Sequence, residues 1–262
     1  MTSKLPTIRA LCVTMINGGN DMRVAVVSDI HGNLTAFEAV LADIRRCSPD
    51  LIFHGGDLAD AGSSPVEIVD RIRGLGWPGV MGNTDEMLIQ PDSLEEFASQ
   101  SSAPPVLWDA IRQIASATRS RLGEERLAWL SELPRVKTHE DFALVHATPE
   151  SCWRTPPAEA TDAELETLYG SLGQPIVIFG HTHRHFIRVL AGQPRLLINT
   201  GSVGLSYDGA PRASYLVLED GVPSIRRVEY NVEKELKSLA FCGLPGAEWT
   251  AKMLRISSPQ MP

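Results

Sequence analysis

The stretch RVAVVSDIHGN, Arg23–Asn33, decides the fold class. Its opening run, Arg23–Ser28, is short, β-branched and apolar until it ends, as expected of a strand buried in a sheet. It stops on a carboxylate, Asp29, with an imidazole, His31, two positions on. Asn33 has a side chain suited to capping a helix N-terminus, and Leu34, Phe37, Val40, Leu41 and Ile44 then recur at helical spacing. Leu51–Phe53 reads as a second strand. Ser64-Pro65-Val66-Glu67 is a capping-box sequence with proline at the first helical position, and it opens a helix carrying Ile68, Ile72 and Leu75. Strand, helix, strand, helix is the rhythm of an α/β sheet with parallel neighbours.

Further along, residues 87–133 change texture to helices and polar connectors punctuated by Pro91, Pro104 and Pro105. They read as a helical insertion covering the strand ends. Strands resume at Phe142–Val145, Ile176–Phe179, Phe186–Leu190, Leu196–Ile198, Ser214–Leu218 and Ser224–Val228. Several follow one another without a helix between, so part of the sheet system is expected to be antiparallel. Thr161-Asp162-Ala163-Glu164 caps another helix, and Val232–Phe241 is expected to be the last one. Residues 22–243 are expected to form a single domain. Residues 1–21, which lack periodicity, read as a disordered extension, and residues 244–262, rich in Pro, Gly and Ser, as a tail that frays.

Composition narrows the function. Of 262 residues, 43% are hydrophobic and 21% charged, enough apolar material for a packed core. A formal net charge of -8 without a basic stripe argues against a nucleic-acid polymer as partner, though a small anionic substrate remains compatible. The cysteines Cys12, Cys47, Cys152 and Cys242 form no Cys-x-x-Cys pair. Reduced thiols and a cytoplasmic location are expected, with no membrane partner, because no apolar run could span a bilayer.

Polar clusters follow the strands: Asp29-Ile30-His31, Gly56-Asp57, Gly82-Asn83-Thr84-Asp85, His146 and Gly180-His181-Thr182-His183. Each alone has a bland reading: a Gly-Asp turn, an Asn tolerating a left-handed turn, a core histidine. Together they are different, since open α/β sheets bind ligands at the carboxyl ends of their strands and five strand ends would deliver these residues to one crevice. The alternating histidines His181 and His183 suit two ions better than one. Imidazoles and carboxylates without thiolate suit Mn, Fe, Ni, Co or Zn, with Mn the ion expected here. A carboxylate such as Asp57 can bridge two ions, and a water held between them would become nucleophilic near neutral pH.

The set resembles the calcineurin-like metallophosphoesterase superfamily, within it the bacterial and archaeal branch of YfcE-like phosphodiesterases, from Met22 to about Glu229. The resemblance implies a four-layer α/β/β/α sandwich of two mixed sheets. It also implies two divalent cations, one held by Asp29, His31 and His183, the other by Asn83, His146 and His181, with Asp57 bridging. Asn199-Thr200-Gly201-Ser202-Val203 looks like the family's Asn-Pro-Gly-Ser loop with Thr200 in the proline's place. Many relatives carry a histidine leaving-group acid where this chain has Thr84, whose hydroxyl is a poor acid near neutral pH. Asp57, Asn83 and Asp85 are accordingly expected at the reaction, and Asn33, Thr84, His185 and Ser202 to face substrate. His54 reads as packing, His139 as surface, and Trp77, Trp108, Trp129 and Trp153 as core or insertion packing.

The expected function is hydrolysis of a small or nucleotide-like phosphoester, most simply a diester, by a metal-bridging hydroxide. Alternatives are a dinucleoside polyphosphate hydrolase, a protein phosphatase, or a noncatalytic scaffold of the same fold.

Overall fold

The computed structural model describes residues 22–262; the reading of residues 1–21 as an extension lies outside them. Strand β1, Arg23–Val27, pairs parallel with β2, Leu51–His54, and antiparallel with β8, Arg212–Glu219, which pairs antiparallel with β9, Val222–Glu229. The first sheet is therefore ordered β2-β1-β8-β9. The second sheet contains β3, Val136–Thr138; β4, Phe142–Val145; β5, Ile176–Phe179; β6, Phe186–Val189; and β7, Leu196–Asn199. Its order is β3-β4-β5-β7-β6, parallel at its centre and antiparallel at both edges. Both sheets are mixed, as the run of consecutive strands requires.

Strand alternation explains the layering. Val24 and Val26 of β1 point to one face, and they pack with Phe142, Leu144, Ile176 and Ile178 of the second sheet. Ala25 and Val27 point the other way, onto Phe37, Val40 and Leu41 of helix α1, Leu34–Cys47, and onto Ile68 and Ile72 of α2, Pro65–Leu75. On the outer face of the second sheet, Val145, Val177 and Phe179 meet Leu165 and Tyr169 of α6, Asp162–Tyr169. The result is the four-layer α/β/β/α sandwich, and it explains why β1 reads as an unbroken apolar run: both of its faces are covered.

Helices α3, Asn83–Ile89; α4, Pro91–Ser99; and α5, Pro105–Ser131, bent at Gly123, fill the region read as an insertion. Asn33 caps α1 by accepting from the Ala36 N–H at 2.9 Å, and Thr161 and Glu164 form the capping box of α6. Ser64 precedes α2 as expected but its side chain makes no cap bond; its hydroxyl faces Ser63 instead. The short edge strand β3 is not apparent in the sequence.

The larger correction concerns the C-terminus. After α7, Val232–Phe241, the chain forms a further helix, α8, Ala247–Ile256, where a fraying tail is expected from composition. Met253 and Leu254 of α8 are buried against Leu205, Leu236 and Leu239, and Thr250 donates from Oγ1 to the Ala61 carbonyl at 2.8 Å. Tertiary burial overrides the turn-rich composition.

Candidate metal centre

Strands β1, β2, β4 and β5 run out at the same end of the sandwich, and the clusters that follow them converge there. Asp29, His31, Asp57, His181 and His183 all sit at positive φ, between 48° and 64°. Such backbone is uncommon for non-glycine residues, and its concentration on five candidate ligands marks a site held by its surroundings. The restraints are visible. Asp29 N–H donates to the Gly56 carbonyl at 3.0 Å and His31 N–H to the Asp57 carbonyl at 3.0 Å, zipping the exits of β1 and β2 together. Asp85 accepts from the backbone N–H groups of Asp57, Leu58 and Gly82 at 2.8, 3.0 and 3.0 Å. Gly82 leaves room for this: a Cβ there would lie 2.1 Å from Asp57 Oδ1.

The side chains form two adjoining groups. In the first, donor atoms of Asp29, His31, Asp57 and His183 all lie within 4.8 Å of one another. In the second, Asn83 Oδ1 is 3.0 Å from His146 Nε2 and 2.8 Å from His181 Nδ1. Between them, Asp57 Oδ2 is 3.5 Å from His31 Nε2 and 3.5 Å from His146 Nε2. The bend at positive φ sends His181 to one group and His183 to the other.

The chemistry of the donors fits divalent cations. His31, His146 and His183 each turn Nδ1 to a backbone carbonyl, of Asp60, Gly55 and Leu205, at 3.0, 2.7 and 2.5 Å. That orientation leaves Nε2 as an electron-pair donor aimed inward, the arrangement found for histidine ligands. The Nε2 atoms of His31 and His183 then face each other at 3.1 Å, two lone pairs that a cation between them would reconcile. Burial raises the cost of charge on Asp57, yet the imidazoles of His146 and His31 hold it well below the usual carboxylate range. His146, despite a burial that opposes it, is raised to about 10 by Asp57 and Asp29. Burial and the neighbouring His146 lower His181 to about 4. Buried carboxylates and imidazoles thus shift one another strongly at this site.

A model of the calcineurin-like phosphoesterase superfamily domain matches residues 22–220. The chain belongs to the calcineurin-like phosphoesterase superfamily. It is 31% identical over 252 residues to an uncharacterized protein of Methanocaldococcus jannaschii, across 88% of this chain and 96% of the relative. It is 28% identical to a symmetrical bis(5'-nucleosyl)-tetraphosphatase of Pectobacterium carotovorum over 68% of this chain, and it spans about 63% of that relative's length. The crystal structure of a metallophosphoesterase from Sphaerobacter thermophilus superposes with a TM-score of 0.74 at 29% identity, covering 91% of this chain and 100% of that one. This calcineurin-like protein is thus a metal-dependent phosphoric ester hydrolase with divalent cations as its cofactor. No helix among the described residues is long and apolar enough to cross a membrane.

Not every residue expected at the site reaches it. Asn33 spends its side chain on the Ala36 N–H and the Gly204 carbonyl, and Ser202 Oγ donates to the Asp29 carbonyl while accepting from the Leu205 N–H. Both are buried scaffold, positioned to shape the loops and with no group left for substrate. Asp85 likewise acts through the backbone of Asp57. His185 pairs with Asp208 at 3.1 Å beside Arg227 and does not line the cavity over the metal centre. Thr84 does line it; its N–H donates to Asp57 Oδ1 at 2.9 Å, and its hydroxyl is buried without a partner among the described residues. Trp108 and Trp153, read as packing, also line this cavity, as do Phe97, Tyr207, Trp249 and Met253. The one sequence signal for the last pair is the apolar spacing of Thr250, Ala251, Met253 and Leu254, which marks a helix and not a binding wall.

Proposed function

We propose that the protein is a phosphodiesterase that uses two divalent cations, Mn foremost, to hydrolyse a small anionic or nucleotide-like phosphoester in the cytoplasm. The observation that carries it is Asp57 Oδ2, 3.5 Å from an inward-facing nitrogen of each donor group. Asp29, His31 and His183 would hold one cation, Asn83, His146 and His181 the other, with Asp57 shared. Bound there, the pair would supply Lewis-acid charge for the phosphoryl oxygens and activation of water near neutral pH.

The chain's own contributions are positional. Asp85 fixes the peptide of Asp57, and the carbonyls of Asp60, Gly55 and Leu205 fix the tautomers of three imidazoles. Thr84 supplies no acid for a departing alkoxide, which favours diesters with acidic leaving groups over alkyl monoesters. The free thiols of Cys47, Cys152 and Cys242 support a reducing compartment. Similarity to the Pectobacterium enzyme supports a second reading, a dinucleoside tetraphosphatase.

Elemental analysis with Mn titration tests the main reading. Two ions per chain are expected, with chelator-sensitive hydrolysis of bis-p-nitrophenyl phosphate exceeding that of p-nitrophenyl phosphate. Asp57→Asn should lower that activity by roughly 100-fold or more and abolish one site. One ion per chain, or activity that survives chelation, would overturn it.

A further inference from the structure

A cavity of about 300 Å³ opens directly over the metal centre, lined on its floor by His31, Asp57, Asn83, His181 and His183. Its walls are of a different character. Phe97, Trp108, Ile111 and Trp153 come from the helical insertion and the loop after β4, and Trp249 and Met253 from α8. Helix α8 lies beyond residue 220, where the superfamily match ends, so this part of the wall stands outside the matched domain. The aromatic rings form a connected face: Phe97 is 5.8 Å from Trp108, edge-on, and 5.0 Å from Trp153, tilted.

Two features say what such walls would hold. Among the described residues no lysine or arginine lines the cavity, so apart from cations that its floor would hold it offers nothing to a second or third phosphate. Buried Trp108 also has an indole Nε1–H with no acceptor among the described residues. A buried donor left unpaired is costly, and a ligand carrying an acceptor would satisfy it once the ring turns that edge toward the cavity. Volumes near 300 Å³ lie at the small end of ligand sites, enough for one compact planar group and not for two nucleosides with a polyphosphate between them.

We infer that this cavity seats the organic group of the ester, a planar heteroaromatic ring of nucleobase type held between Trp108, Trp153 and Trp249, and that the substrate carries a single phosphate. The assignment rests on the phosphoesterase reading for its chemistry and on the cavity alone for its selectivity. It decides against the dinucleoside tetraphosphate as the substrate of this chain. Selectivity is set by α8 and the insertion, while the metal centre supplies the reaction.

Calorimetry on the Mn-loaded full chain tests it with dimethyl phosphate, diphenyl phosphate, adenosine 5'-methylphosphate and diadenosine tetraphosphate as probes. The adenosine diester should bind about 10- to 100-fold more tightly than dimethyl phosphate, as burial of one aromatic group predicts. Diphenyl phosphate should fall between, and the tetraphosphate should gain less than about threefold over the adenosine diester. Trp108→Phe, which keeps a ring and removes the N–H, should bring the adenosine diester down to the level of diphenyl phosphate. Trp249→Ala should remove most of the aromatic preference, and Ile111→Arg should shift preference toward the tetraphosphate. Equal binding of dimethyl phosphate and the adenosine diester to wild type would overturn the inference, and so would a tetraphosphate bound more than tenfold tighter. These comparisons need no folded variant. Hydrolysis of the same esters is followed in parallel: preference without turnover would sink the hydrolase reading and leave the cavity assignment standing, and turnover without preference would do the reverse.

Discussion

The residues that hold this site together differ in how far their roles can be read before folding. Asp29 and His31 stand two apart after an apolar run, and only a strand end makes sense of that pair; their neighbour Asn33 has a polarity equally suited to substrate or to a cap, and the helix takes it. Thr84 is legible as an absence of imidazole, but the unpartnered state of its hydroxyl is not. His54 shows the same division. Its position beside Gly55 suggests packing, and the structure buries it fully beneath Trp129 with neither ring nitrogen bonded among the described residues. Burial alone lowers it to about 4. In the unfolded chain the same ring takes its proton near 6.5. Between these values the unfolded state binds more protons, so the stability of the fold drops as pH falls from about 6.5 to about 4 and levels off below. The loss amounts to about 3 kcal/mol. His54→Leu should remove this dependence. Urea denaturation of both chelated proteins at pH 7 and pH 4.5 checks it, and a difference between them that does not change with pH would show that the ring accepts a proton in place.

Elements were legible in proportion to the regularity of their apolar pattern. β1, β4 and β5 read clearly because both faces of each are covered, and α1 because one face is. Strand β3 has three residues, two half-buried and one exposed, too little for a period to show. The helix α8 was hidden by the Pro, Gly and Ser around it, although its own residues alternate correctly for one buried face. Its dependence on the rest of the fold is direct: Gly246, at φ 73°, passes so close to α5 that a Cβ there would lie 2.3 Å from Ile114 Cδ1. Deleting residues 244–262 should therefore lower the melting temperature by roughly 5–10 °C, since it uncovers Leu205, Leu236 and Leu239. A frayed tail could be removed with a change within about 1–2 °C, and differential scanning calorimetry of the two chains separates the cases.

At the scale of the whole molecule, the metal centre joins the two sheets. Asp29 and Asp57 leave the first sheet, His146, His181 and His183 leave the second, and donors from both meet around Asp57. Cations bound here would hold the sheets together at this end, and they bind only the folded chain, whose donors are assembled. Saturation at about 100 times Kd stabilises a fold by roughly 2.7 kcal/mol per site. Mn should accordingly raise the melting temperature of the chelated protein by roughly 5–10 °C in a concentration-dependent way. Mn that leaves the midpoint unmoved would show that the ions do not couple to folding. What the sequence by itself determined is the set of strands, the donors at their ends and the superfamily they signify, because each depends on a short window in which apolar period and polar punctuation are both present. Only the tertiary structure decided the strand order β2-β1-β8-β9 and the aromatic cavity between Phe97 and Met253. Those depend on segments far apart in the chain, and the packing that brings them together leaves no period in either segment alone.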